Sequence, residues 1–171
     1  MAMDKAIFKN LKEYMFEGKD RNGKKLEFTL PQVASFALWD EKNPKDLAII
    51  EDSIDELKVH YVFVALNFGG NDTERAPWWK DWNNFHCTTG PNGGDSRLQN
   101  LLNKSKFKGA YMTDIIKNYP TPSAAHLAKM QDIDEPTHIK WFVDEINLLE
   151  TDNIQMFLLG KDVEDKFIKQ E

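Results

Sequence analysis

Residues 58–71 read Lys-Val-His-Tyr-Val-Phe-Val-Ala-Leu-Asn-Phe-Gly-Gly-Asn, and the interpretation of this stretch decides the fold. From Val59 to Leu66 the run is almost continuously β-branched, aromatic or aliphatic. That is the pattern of a strand covered on both faces, as strands of a parallel sheet are. Upstream, Asp46–Leu57 carries Leu47, Ile50, Ile54 and Leu57 at spacings of three and four, with acids on the other face and Asp46 as N-cap, which predicts a helix. A helix, a buried strand and a glycine-containing loop, in that order, belong to an open α/β sheet, where sites form beyond the carboxyl ends of strands.

The alternation continues downstream. Asp95–Leu102 reads as a helix, and Gly109–Lys117 as a second strand whose apolar run is interrupted by Thr113 and Asp114. Ser123–Lys129 forms a helical turn, and Pro136–Glu150 is a helix through Ile139, Phe142, Val143, Ile146 and Leu149. Ile154–Gly160 is a third strand, and Lys161–Lys169 a short helix. Toward the N-terminus, Asp4–Gly18 places Ile7, Phe8, Leu11, Tyr14 and Met15 at helical spacing and stops at Gly18. A polar turn at Lys19–Lys25 leads to a short strand around Leu26–Thr29, and Pro31 opens a helix ahead of the apolar patch Val33, Phe36, Ala37 and Trp39. The fold expected is a three-layer α/β/α domain spanning residues 1–171, with a mostly parallel central sheet of about four strands.

Composition narrows the function classes. A chain of 171 residues that is 41% hydrophobic suits one core. Its apolar runs fall far short of the roughly 20 residues that cross a bilayer, and the N-terminus is of mixed charge rather than a signal peptide. No membrane partner and a cytoplasmic location are therefore expected. Cys87 is alone, so no internal disulfide forms, and the spacing of His60, His86, His126 and His138 around it matches no metal site. No metal or other cofactor is expected. A net charge of −6 argues against coating nucleic acid through bulk electrostatics. The charge is uneven, however: residues 132–171 hold 11 acids and 4 bases, net −7, against 17 acids and 18 bases, net +1, in residues 1–131. A DNA partner would accordingly meet a local face of the first part.

From Asn67 to Gly94 stretch 28 residues with little periodicity but with Trp78, Trp79, Trp82, Phe85, Gly90, Gly93 and Gly94. Unpatterned loops of this length in a compact domain are usually functional or disordered, and the aromatic density argues against disorder. The functional face is expected here, around Leu66–Gly70 at the strand end.

In this order of elements the chain resembles the uracil-DNA glycosylase superfamily, particularly its mismatch-specific and single-strand-selective branches. Their first motif, Gly-hydrophobic-Asn-Pro-Gly, follows a buried strand; Val64-Ala65-Leu66-Asn67-Phe68-Gly69 stands in its place. The resemblance runs on through the aromatic loop Trp78–His86, the helix with Arg97-Leu98 and Leu101-Leu102, the strand Gly109–Lys117, a further helix, and Phe157-Leu158-Leu159-Gly160-Lys161, covering roughly residues 58–170.

What the resemblance implies is hydrolysis of an N-glycosidic bond in DNA. That reaction develops oxocarbenium character on the sugar and negative charge on the departing base, so the protein must place a water, stabilise the base anion and hold an extruded nucleotide. On this reading Asn67 orients the attacking water through its amide oxygen. Leu66, Phe68 and Gly69 line the substrate site, and the glycine lets backbone N–H groups approach the ligand. Phe85 or Trp82 supplies a stacking wall for the base, and His86 lies in the same loop. Asp114 falls where several branches carry an Asn that reads uracil; an ionised carboxylate only accepts hydrogen bonds and would repel the base's O4, which argues against uracil itself.

A second departure concerns the family's other motif, His-Pro-Ser or Asn-Pro-Ser, which follows a further strand after the segment matching Leu159-Gly160-Lys161; the sequence reaches Glu171 without it. Either the natural protein continues past Glu171, or this is a pared-down relative that kept the fold and lost the chemistry. Three functions follow: a base-excising glycosylase; a non-catalytic protein using the same cleft for a nucleotide, nucleic acid or protein; and an unrelated α/β enzyme such as a nucleotide hydrolase, which the lack of a Gly-rich phosphate loop with Lys-Ser/Thr disfavours.

Overall fold

A computed structural model describes residues 3–68, 80–86, 94–119, 121 and 124–168. Helix α1 (Lys5–Glu13) leads into a two-stranded antiparallel ribbon, β1 (Met15–Lys19) with β2 (Lys25–Thr29). A 3₁₀ turn at Leu30–Gln32 precedes β3 (Ala34–Phe36), and α2 (Ala48–Asp52) leads toward β4 (Lys58–Asn67). Then come α3 (Gly94–Leu102), β5 (Ala110–Ile116), the short α4 (Ala124–Leu127), α5 (Glu135–Asn147), β6 (Gln155–Leu158) and α6 (Lys161–Ile168). The central sheet has four strands in the order β3-β5-β4-β6: β4 runs parallel to β5 and to β6, and β3 lies antiparallel at the edge. The mostly parallel α/β sheet expected from the sequence is the one found.

Both faces of the sheet are covered, which is why β4 reads as a continuous apolar run. Val62 and Val64 of β4, with Tyr111 and Ile115 of β5, face a core that includes Phe8 of α1 and Trp141 and Phe142 of α5. On the opposite face, Phe63 and Met112 meet Leu98 and Leu102 of α3. There Phe63 stacks on Phe157 at 4.8 Å, with Phe107 edge-on to both, pairs each worth about 0.5–1.5 kcal/mol beyond their buried area. Among the described residues, no helix is long and apolar enough to cross a membrane.

Three local expectations are corrected. The first helix does not reach Gly18. It is capped by Asp4, whose carboxylate accepts the Ala6 N–H at 2.7 Å, and Tyr14 is already extended. Residues 15–19 pair with β2 because Phe16 packs against Phe28 and Trp141. Gly18 is a close approach rather than a helix stop, since a Cβ there would lie 2.6 Å from the Trp141 ring. Second, Pro31 opens a 3₁₀ turn and not a helix, and the chain then enters β3, a strand hidden from sequence because all three of its residues are buried and no alternation shows. Third, the helix expected over Asp46–Leu57 is α2 followed by a separate 3₁₀ turn at Ile54–Glu56, so that Leu57 enters the sheet extended. Asp46 is not the N-cap: that position falls to Leu47, which makes no side-chain cap, and the Asp46 carboxylate accepts the Ala48 N–H at 3.1 Å from one residue further out.

Gly109, before β5, shows what fixes the entry to the sheet. Its φ is +80°, and a Cβ would lie 2.0 Å from the Glu56 carbonyl oxygen. Gly23 has a similar φ of +83° with nothing within 4 Å of a Cβ. Urea unfolding separates backbone strain from collision: Gly23→Ala is expected to cost about 1–2 kcal/mol, and Gly109→Ala clearly more. Equal costs would contradict the packing of β5 against the end of the 3₁₀ turn.

Candidate functional site

The connections around β4 create a crevice. From β4 the chain passes through α3 on one face to β5; from β5 it passes through α5 on the opposite face to β6, on the other side of β4. Connections leaving neighbouring strands in opposite directions open a gap at their carboxyl ends, where open α/β sheets bind ligands. The two strand tips are in register there, Asn67 beside Ile116.

Asn67 binds the tips together. Its Nδ2 donates to the carbonyl oxygens of Phe68 at 2.8 Å, Tyr119 at 3.1 Å and Thr121 at 3.0 Å. The Thr121 N–H in turn donates to the Phe68 carbonyl at 3.0 Å. Asn118, in the same return, takes φ +59°, a conformation asparagine tolerates better than most residues. With the amide nitrogen committed to backbone carbonyls, the side-chain oxygen is turned away from them, and among the described residues no donor is bonded to it. The half-buried Asn67 thus presents an acceptor at the tip of the central strand.

The other expected site residues divide. Leu66 lines a cavity of about 290 Å³ beyond the strand ends, and Phe68 is buried beside Asn67. Gly69 and Gly70, with Trp78 and Trp79, lie outside the described residues, as do Cys87, Gly90 and Gly93. Trp82 and Phe85 do not share one wall. Trp82 stacks on Phe8 at 5.5 Å in the core on the α1 side, whereas Phe85 belongs to the core on the opposite face. Both have left-handed backbones, φ +63° and +65°, costly for aromatic residues and sustained only where the surroundings overdetermine them. Here they do. The Trp82 N–H donates to the Pro31 carbonyl and its own carbonyl accepts from the Ser35 hydroxyl, each at 2.7 Å, while the Phe85 N–H donates to the Asn84 side chain at 3.1 Å.

Asn84, unremarked in the sequence, ties this loop to the sheet. Buried, it donates through Nδ2 to the Val33 carbonyl and to Asp114 Oδ2, both at 2.8 Å. Asp114 is buried within β5, beside Ala65 and two residues short of the strand end. His86 is also buried, against Trp39 with ring centroids 4.7 Å apart. Its Nε2 is 3.1 Å from the Phe36 carbonyl, which only accepts, so Nε2 carries the proton of a neutral ring; burial pushes the imidazole pKa down to about 4.

On the opposite face a second polar group is sealed in. Lys117 and Glu145 are both fully buried, with Nζ 2.5 Å from Oε2. Lys117 also donates to the Thr113 hydroxyl at 3.0 Å and to the Asp114 backbone carbonyl at 2.6 Å. Its carboxylate partner is therefore Glu145 on α5, and Asp114 meets it only through the main chain. Tyr111 donates its hydroxyl to Glu145 Oε1 at 2.5 Å, and burial followed by that carboxylate raises the phenol pKa well above its usual range. His138 Nδ1 accepts the Lys117 N–H at 3.0 Å; burial first and the Lys117 cation second bring its pKa down to about 4. This cluster pins α5 to β5. The sequence reading ends the second strand at Lys117, but the partners of Lys117, His138 and Glu145, lie more than twenty residues further on in α5 and carry no signature of the pairing.

Comparison with family models, with curated proteins and with solved structures returned no match. The site rests on its geometry. Among the described residues, no group of three or more His, Cys, Asp or Glu side chains converges as a metal site would need.

Replacing one partner of a buried ion pair strands the other charge, which typically costs about 3–5 kcal/mol. Lys117→Met is expected to destabilise the protein by about that amount in denaturant titration, and Lys117→Met with Glu145→Leu to recover most of it. A loss below about 1 kcal/mol for the single variant, the range of exposed pairs, would contradict the sealed pair.

Proposed function

We propose that this protein is a uracil-DNA glycosylase-like hydrolase acting on a damaged or deaminated base in DNA, with Asn67 holding the attacking water. The observation that carries the reading is the commitment of the Asn67 Nδ2 to the carbonyls of Phe68, Tyr119 and Thr121, which leaves its oxygen, at the tip of the central parallel strand, without a donor among the described residues. An amide oxygen is too weak a base to take a proton outright. Its contribution is to fix the water's orientation, an advantage that comes from placement. Leu66 and Phe68 flank it in the chain, and the segment from Asn84 to His86, anchored on Asp114, forms a rigid neighbour on the adjoining edge. The near-neutral balance of residues 1–131 is compatible with a DNA backbone approaching that part, away from the acidic C-terminal third.

A second reading is favoured by one observation. The Asp114 carboxylate, which the family resemblance sets at the base-reading position, accepts from Asn84 inside the protein. A protein whose reading group serves its own fold would bind a nucleotide, nucleic acid or protein in this crevice without cleaving it.

Single-turnover base release from uracil-, hypoxanthine- and xanthine-containing oligonucleotides, with protein in excess, distinguishes the two. The glycosylase reading expects release from at least one substrate, slowed by about 10²-fold or more in Asn67→Ala, with oligonucleotide binding in a gel shift retained. Absence of release from all three by folded protein, or equal rates for the variant, rules that reading out; binding without release supports the second.

A further inference from the structure

The cavity beyond the carboxyl ends of β4 and β5 shares Leu66 with the reading above, but its described lining does not include Asn67. Its floor is aliphatic: Leu66 and Ile116 from the strand ends, with Leu127, Met130 and Ile133 from the segment between α4 and α5. Its rim is charged, with Arg21 from the turn of the β1–β2 ribbon, Glu135 at the start of α5, and Asp162, Asp165 and Lys166 from α6.

Two features restrict what fits. No aromatic ring stands among the described lining residues, whose aliphatic floor favours an aliphatic ligand body over a flat heterocycle. The ligand's body is aliphatic. The rim charges, moreover, are only partly matched. Lys166 pairs with Glu135, which closes one side. Arg21, Asp162 and Asp165 make no ion pair among the described residues. Asp162 and Asp165 are three apart on α6 and share a face, so they stand as neighbours with like charge. Among the described lining residues, one unmatched cation and two unmatched anions leave a residual charge of −1. Its complement is a small molecule with one anionic and two cationic groups joined by a short hydrocarbon chain.

We propose that this cavity binds a free basic amino acid of the lysine or arginine type. Its carboxylate meets the Arg21 guanidinium, and its two cationic groups meet Asp162 and Asp165. Its methylene stem lies on Leu66, Ile116 and the aliphatic floor. The volume of about 290 Å³ sits at the small end of ligand pockets, which begin at about 300 Å³, and suits a single amino acid. The net charge of −7 carried by residues 132–171 raises the local concentration of such a cation around α5 and α6.

Isothermal titration calorimetry on the full chain tests this with L-lysine and L-arginine, using cadaverine, which lacks the carboxylate, and norleucine, which lacks the side-chain cation, as comparators. The expected result is saturable one-to-one binding of at least one basic amino acid, with both comparators weaker by about tenfold or more. Asp162→Asn with Asp165→Asn should weaken binding by a similar factor, and Arg21→Gln should abolish the preference over cadaverine. All three positions are exposed, and circular dichroism verifies that the variants are folded. No heat from either amino acid at about 10 mM, which corresponds to under 3 kcal/mol of affinity, overturns the proposal. So does binding that neither variant weakens. Because Asn67 does not line the cavity, a negative result here leaves the base-release assay unaffected, and a negative base-release result leaves this binding expectation standing.

Discussion

The structure depends most on how two parallel strand tips are held side by side where their connections depart in opposite directions. At that point the sheet's hydrogen-bond ladder ends, and the carbonyls of the departing chain need donors. The Asn67 amide supplies them, reaching Phe68 next door and Tyr119 and Thr121 more than fifty residues further on. A buried or half-buried carbonyl left without a donor costs about 1–3 kcal/mol, so one amide serving the Tyr119 and Thr121 carbonyls, and sharing Phe68 with the Thr121 N–H, is a substantial fastener. The same fastening leaves the amide oxygen without a donor among the described residues. Structural and chemical roles are therefore one arrangement, and neither can be altered without the other.

Two further anchors make the surroundings of those tips rigid. The segment from residue 80 to 86 is bound to β3 through Trp82 and Ser35, and to β5 through Asn84 and Asp114. Its two left-handed aromatic residues are held by hydrogen bonds on either side. On the other face, the sealed Lys117–Glu145 pair, with Tyr111 and His138, fixes α5 against β5. Buried ion pairs are weak contributors to net stability but strong selectors of one arrangement, because a shifted helix would leave two charges without partners. The crevice is thus bordered by elements with little freedom to slide.

Much of this architecture was legible in the residues. Parallel strands covered on both faces announce themselves as unbroken apolar runs, and the two long ones, around Val62 and Met112, emerged within a residue or two of their observed limits. The pieces that escaped did so for physical reasons. Residues 15–19 continue the apolar spacing of α1, and only tertiary pairing of Phe16 with Phe28 and Trp141 turns them into a strand. β3 is three residues long and wholly buried, which leaves no pattern to read. The position of Asn67 followed from the strand's end, yet the carbonyls that orient it lie across the fold and carry no sequence signature. Asn84 and Lys117 are made structural by partners distant in sequence, Val33 and Asp114 for the one and Glu145 for the other.

The Asn67 amide nitrogen is locked on backbone carbonyls and thereby holds the tips of β4 and β5 together. The most direct measurement is hydrogen exchange of the Asn67 side-chain amide protons, followed by NMR with the assignment fixed by the Asn67→Ala variant. Protons so locked exchange far more slowly than those of an exposed asparagine such as Asn22 in the polar ribbon turn. Exchange at the rate of a free surface amide would contradict it.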